Sequence, residues 1–245
     1  MLEKNKLSSF FNSFLQKKNK SYIDLHIHTN ASDGIIDLQF LKNFLSNTPH
    51  LISITDHNEI RSNVKLYEAG FNTIPAIEVG CQDGFEFLIY FNKLEELEKF
   101  YTNSVEPFKN KNKITRTNKD HTFYLHEARK YNSFISIPHI AGLAQKNYLK
   151  NKSYIHNITT QVDAIETYNH TLSKKRNAIA RKVRKTKNKY ATFGSDAHIK
   201  REITSFYNYQ NSKFTKALYL KKNFYNLCSI IALFGKHLHH FLDLH

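Results

Sequence analysis

The sequence predicts an α/β fold, a mostly parallel sheet of about seven strands closed into a barrel with helical appendages at both ends. Three observations predict it. Short β-branched runs alternate, from about residue 21 to 206, with segments whose apolar residues recur three and four apart. About seven such runs are present, a count that favours a distorted barrel over an open sheet. Polar residues capable of chemistry come directly after almost every run, and in a parallel barrel those strand ends open onto one face.

Residues 1–20 come first, with Leu7, Phe10, Phe11, Phe14 and Leu15 at helical spacing. They read as a short amphipathic helix lying on the domain, since polar residues interrupt any secretion-type apolar core. The expected strands are Tyr22–Ile27, Leu51–Ile54, Thr73–Val79, Phe85–Tyr90, Phe134–Ile137, Ala164–Thr167 and Tyr190–Phe193. They set the central unit at residues 21–206. A Lys- and Asn-rich stretch at 109–120 reads as a rim loop. In the extension at 207–245, Ala217, Leu220, Phe224, Leu227, Ile231, Phe234, Leu238 and Phe241 recur three and four apart. That pattern predicts a helix, or a helical hairpin broken at Gly235, with one apolar face. Packing against the barrel is its expected use, and a homodimer contact is the alternative.

Composition bounds the function. Of 245 residues 40% are hydrophobic, enough for a sizeable core, and 36 Lys+Arg against 21 Asp+Glu give a net charge of +15. The excess suits polyanionic or phosphorylated partners, although Lys- and Asn-rich drift explains it equally well. Two cysteines, Cys81 and Cys228, cannot build a disulfide framework, which fits a cytoplasmic location. The longest apolar run near the C-terminus, Ile230 to Phe234, is too short for membrane insertion.

The chemistry lies at the strand ends. His26 and His28 alternate along the first strand, so both point to one side and can grip one ion. Asp33 lies just beyond. Asp56-His57 ends the second strand, Glu78 the third, His139 the one at 134–137, and Asp196-Ala197-His198 the last. A single histidine at a strand end is usually structural. The repetition at successive ends predicts a multinuclear metal site.

Together these segments resemble the polymerase and histidinol phosphatase (PHP) superfamily of metal-dependent phosphoesterases. The likeness runs through Asp24–Gly34, Ile54–Ile60, Pro75–Gly80, Ile137–Gly142 and Thr192–His198, in order and spacing. It implies a distorted (β/α)7 TIM-like barrel and two or three divalent ions (Mn, Fe or Zn). His26, His28, Glu78 and Asp196 would hold the first. Glu78 would bridge to a second ion that His139 also binds, and Asp33, His57 and His198 would hold a third. Glu86 stands where the family often has a histidine, and it either ligates the second ion or marks its loss. The resemblance further implies hydrolysis of a phosphate ester by a metal-bound hydroxide, with Glu78, Asp196 and His198 serving catalysis.

Other residues carry weaker expectations. Asp24 and Asp56 support ligands rather than bind. Glu166 reaches the site rim at best. Arg61, His170, Lys174 and Arg176 are candidates for substrate binding, with His170 near a leaving group. The basic run Lys174–Lys189 and the loop cations suit a nucleotide or oligonucleotide as readily as a phosphorylated small molecule. Two rivals stand against the phosphoesterase. An amidohydrolase-type C–N hydrolase usually bridges its metals with a modified Lys, whereas Glu78 holds that position here. A non-catalytic metal-bound module that binds nucleic acid or protein would not need so full a ligand set.

Overall fold

The computed structural model describes residues 2–15, 22–143, 150–213 and 215–243. Its strands are β1 (Ile23–Ile27), β2 (Leu51–Ile54), β3 (Ala76–Gly80), β4 (Glu86–Phe91), β5 (Ser133–Ile137), β6 (Ala164–Asn169) and β7 (Tyr190–Gly194). The helices are α1 (Asn12–Leu15), α2 (Leu38–Leu45), α3 (Arg61–Glu68), α4 (Leu94–Phe100), α5 (His121–Ala128), α6 (Lys152–Gln161), α7 (Lys174–Thr186), α8 (Lys200–Asn211) and α9 (Lys216–Asp243). The strands are almost wholly buried, so both of their faces are covered, as expected where helices pack outside a sheet.

The sheet departs from a parallel barrel in two ways. β4 runs antiparallel to both neighbours, with Gly80 opposite Glu86 and Leu88 opposite Ser136. Its connection from β3 is only Cys81–Phe85, turned through Gly84 at φ 91°. A parallel crossover needs about a dozen residues or more, so this link permits only a hairpin. The second departure concerns closure. β1 and β2 form one parallel pair, and β3 to β7 form a second sheet in chain order. Among the described residues no continuous ladder joins the two; isolated bridges do, chiefly His57 to Glu78 on one side and Ile27 to Ala197 on the other. A left-handed residue stands beside each of these, Asn58 at φ 53° and Asp196 at φ 54°, where a ladder cannot continue. No closed barrel forms among the described residues.

The N-terminal segment lies on the domain, but mostly as 3-10 turns at Lys4–Lys6 and Ser9–Phe11 before the single turn of α1. Phe11 is buried edge-on against Tyr90 and Phe134. The remainder of that expected helix, residues 16–20, lies outside the described residues.

α9 corrects the expectation for the C-terminus. It is one continuous helix that runs through Gly235. The expected apolar stripe faces away from the domain: Leu220, Phe224, Leu227, Ile231, Phe234, Leu238 and Phe241 are 48–72% exposed. The opposite stripe carries the attachment. Asn226 Nδ2 donates to Thr171 O at 2.8 Å, and Lys236 Nζ donates to Gly34 O at 2.7 Å. His240 Nε2 lies 3.0 Å from Lys111 O. Residues two apart on a helix differ by about 200°, so stripes starting at 220 and 222 lie on opposite sides. α9 thereby crosses the strand-end face, from the loop after β6 to the loop after β1. No helix among the described residues is long and apolar enough to cross a membrane.

Candidate metal centre

Strand ends and one strand start meet under α9. β1 delivers His26 and His28, and β2 delivers His57. Glu78 lies within β3, His139 stands just past β5, and Asp196 and His198 just past β7. Because β4 runs backwards, its first residue, Glu86, comes to the same rim as the end of β3.

Close backbone approach makes the convergence possible. A Cβ on Gly194 would stand 2.3 Å from His26 Cβ, so β7 lies against β1 only because that residue is glycine. A Cβ on Gly80 would meet Thr115 O at 1.8 Å, and its absence lets the loop after α4 settle onto the end of β3.

The tightest group has four donor atoms. His26 Nε2 and His28 Nε2 are 3.0 Å apart. Glu78 Oε2 lies 3.2 and 3.1 Å from them, and Asp196 Oδ1 lies 3.4 and 3.3 Å away. Ligands about 2.1 Å from a shared ion sit about 3.4 Å apart in a tetrahedron and about 3.0 Å apart in an octahedron. The observed edges fall in that range.

Two further groups adjoin it. His139 Nε2 is 3.3 Å from Glu78 Oε1 and 3.9 Å from Glu86 Oε2. Asp33 Oδ2 is 3.7 Å from His57 Nε2 and 3.5 Å from His198 Nε2. All nine expected side chains fall into five overlapping groups of three whose donor atoms lie within 4.8 Å. His28 Nδ1 and His57 Nδ1 are buried with no hydrogen-bond partner. Orphaned buried donors and acceptors are costly, and their clustering here fits a site shaped for cations.

The electrostatics agree. Burial works against ionising Asp33, Glu78 and Asp196, but the surrounding imidazoles outweigh it and hold all three below the ordinary carboxylate range. Burial likewise opposes charge on His28 and His139, yet Asp196 and Glu78 raise them to about 10 and about 9. The cluster is thus a set of carboxylate anions holding protons where cations would sit. Glu86 differs, since its Oε1 is engaged by Arg116 from the rim loop.

Supporting residues fix the ligands. Asp24 accepts from Ser195 N at 2.8 Å, which ties β1 to the turn that carries Asp196. Asp56 accepts from Thr29 N and Ser32 Oγ, both at 2.6 Å, and so shapes the loop that presents Asp33. Glu166 corrects the expectation of a rim residue. It is buried beneath the cluster, facing His26 Nδ1 at 3.0 Å through one oxygen. The other oxygen accepts from His139 N at 3.0 Å and Asn169 Nδ2 at 2.9 Å.

Two supporting residues stand outside the motifs that the sequence displays. Asn169 also donates to Asp196 Oδ2 at 3.0 Å, and Glu202 accepts from His198 N at 2.9 Å. Burial raises Glu202 to about 7. Its place four residues after His198, at the start of α8, was the available signal.

The substrate-binding candidates separate. His170 lies in the core between Tyr168 OH and Ser205 Oγ, at 3.0 and 2.9 Å, and burial lowers it to about 3. It is a buried core histidine held between two hydroxyls. Arg61 sits at the rim, largely exposed, paired with Glu59 and donating to Ala31 O. Arg176 reaches Ala141 O in the segment after His139. Lys174 lines a different cavity. A cavity of about 280 Å³ opens directly on the cluster, walled by His139, Asp196 and His198 on one side and Leu143, Leu172, Ile230 and Leu233 on the other.

Known structures share this frame. A protein from Bifidobacterium adolescentis assigned as a metal-dependent phosphoesterase aligns with TM-score 0.54 and 14% identity over 79% of this chain and 97% of its own. A two-domain protein from Bacteroides vulgatus, one part of it assigned as a PHP-like metal-dependent phosphoesterase, gives 0.50 and 14%, over 87% and 69%. Endonuclease Q, solved with a 27-mer duplex carrying an abasic lesion at its active site, gives 0.55 and 17%, over 72% of this chain and 48% of that one. The chain therefore has the fold of PHP-like metal-dependent phosphoesterases. No protein-family model and no curated protein sequence matches it.

Proposed function

We propose that this chain is a metal-dependent phosphoesterase, with two or three ions of the Mn, Fe or Zn class held by the nine clustered side chains. The observation that carries the reading is the convergence of His26 Nε2, His28 Nε2, Glu78 Oε2 and Asp196 Oδ1 at 3.0–3.4 Å. These four would hold the first ion. Glu78, His139 and the free oxygen of Glu86 would hold the second, and Asp33, His57 and His198 the third. Bound ions of this kind supply an activated water and neutralise phosphate oxygens.

The chain's own residues do the rest. Glu78 bridges two groups through its separate oxygens. Asp196 is fixed by Asn169 and by its left-handed backbone, and His198 is oriented by its Nδ1, 3.0 Å from Asp196 O. Arg61 and Arg176 stand at the rim, where they would meet phosphate oxygens. The two sheets, strands in chain order and split at two seams, bring the strand ends to one face, as this reading requires.

The covering helix narrows the substrate. Endonuclease Q holds a duplex at its site. Here α9 lies across the strand-end face, and the cavity beside His139 is small and largely apolar. That favours a phosphorylated small molecule, a nucleotide or the end of a single strand over a continuous duplex. A second copy of the chain would cover the outward stripe of α9 in a homodimer.

Release of phosphate or nucleotide with added Mn²⁺ tests the reading, over a generic monoester, histidinol phosphate, a 3′,5′-bisphosphorylated nucleotide and short RNA and DNA. Metal-dependent turnover of one member, absent in a His26→Ala/His28→Ala control, is expected. Silence across the panel with metal demonstrably bound would move the chain to the C–N hydrolase or the binding module.

A further inference from the structure

A second cavity lies on the other side of the loop after β6. Its volume is about 160 Å³, and Tyr168, Lys174, Arg181, Tyr209, Tyr219 and Lys222 line it. Three cations therefore share one concavity, and its lining includes no carboxylate. The Lys174 and Lys222 ammonium groups stand 5.9 and 6.0 Å from the centre of the Tyr219 ring.

Lys222 is the informative residue. It is only 4% exposed, and its ammonium donates one bond, to Leu172 O at 3.0 Å. An ammonium has three donors, and Lys222 is among the residues that line the cavity. Burial, only partly opposed by Glu202, lowers its pKa to about 8. Glu202 spends one oxygen, Oε2, on His198 N and Ile199 N, and its other oxygen is buried without a hydrogen bond. Buried cations are normally paired, and this one faces two more cations across a small space.

We infer that this cavity is a binding site for a phosphate-class oxyanion, separate from the metal cluster, held by Lys174, Arg181 and Lys222. The size supports that class. A space of about 160 Å³ has room for a tetrahedral anion. Guanidinium and ammonium groups bind phosphate by charge-assisted hydrogen bonds. Leu172 lines both this cavity and the one on the metal cluster, so the two sites are neighbours across a single side chain.

The test is titration of the full chain with inorganic phosphate by calorimetry, in the absence of divalent metal. One bound phosphate is expected, weakened about tenfold or more by Lys222→Met and by Arg181→Met. Lys185→Met, on the exposed side of α7, is expected to leave it unchanged. Competition separates the sources of the anion. A 5′-phosphorylated oligonucleotide that displaces phosphate while its unphosphorylated form does not assigns the site to terminal phosphate; displacement by both assigns it to backbone diester. The inference is overturned if the metal-free chain binds no phosphate, or if Lys222→Met and Arg181→Met bind it as the parent does. Thermal melting of both variants establishes that they fold.

Discussion

Glu166 makes the sharpest prediction, because its two oxygens serve three groups at once. His26 presents Nε2 to the cluster, so its Nδ1 carries the hydrogen and donates to Glu166 Oε1 at 3.0 Å. Oε2 accepts from His139 N and Asn169 Nδ2. Glu166→Gln keeps the size but replaces one acceptor by a donor. If the amide nitrogen faces His26, two N–H groups oppose each other. If it turns the other way, it opposes His139 N and Asn169. Either orientation leaves at least one buried donor unmet, at about 1–3 kcal/mol. Because Glu166 orients a ligand on either side of Glu78, that cost falls on metal affinity, a loss of about 10- to 100-fold. Competition against a chromogenic chelator measures the affinity, and melting of the metal-free chain measures the structural share. A metal affinity unchanged in Glu166→Gln would refute the reasoning, as would a variant destabilised without metal and normal once loaded.

The same geometry sets the outcome of several other perturbations. His28 and His139, raised to about 10 and about 9, hold protons at pH 7 that metal must displace. His26, held despite burial well above the ordinary imidazole value by Asp196, Glu78 and Glu166, carries another, so calorimetry in buffers of different ionisation enthalpy should show about three protons released per metal-loaded chain. By the same sign, the metal-free chain should lose stability as pH rises through 9–10, since raised histidines stabilise only while protonated. Gly194→Ala would place a Cβ 2.3 Å from His26 Cβ, and the resulting shift of β1 against β7 should cost about 1–3 kcal/mol and weaken metal binding; a normal melting temperature would contradict the packing. Ile231→Glu/Phe234→Glu should convert a dimer to a monomer in sedimentation without loss of the fold, while a parent chain already monomeric at high concentration would remove the homodimer.

The sequence carried the strands and ligands well for a physical reason. Short β-branched runs ending in His, Asp or Glu are local signals, and all seven strands fall within a few residues of the expected runs. Three features were not local. The direction of β4 depended on the length of the Cys81–Phe85 link, too short for the crossover that a parallel strand requires. The parity of β6 depended on a register shift between Glu166 and Tyr168, one extra residue that puts Glu166 and Asn169 on the metal side and sends His170 into the core. The periodicity of α9 located its apolar stripe correctly but could not reveal that the polar stripe makes the attachment. Amphipathicity identifies two faces without saying which neighbour each one meets.

The central claim is that the clustered histidines and carboxylates hold metal in order to cleave a phosphate ester. Phosphate release monitored while Mn²⁺ is returned stepwise to the chelated chain tests it most directly. Activity should rise to a plateau at two or three equivalents and be absent at every metal level in Asp196→Asn. Ester cleavage that survives chelation, or stoichiometric metal binding with no ester cleaved, would contradict the account.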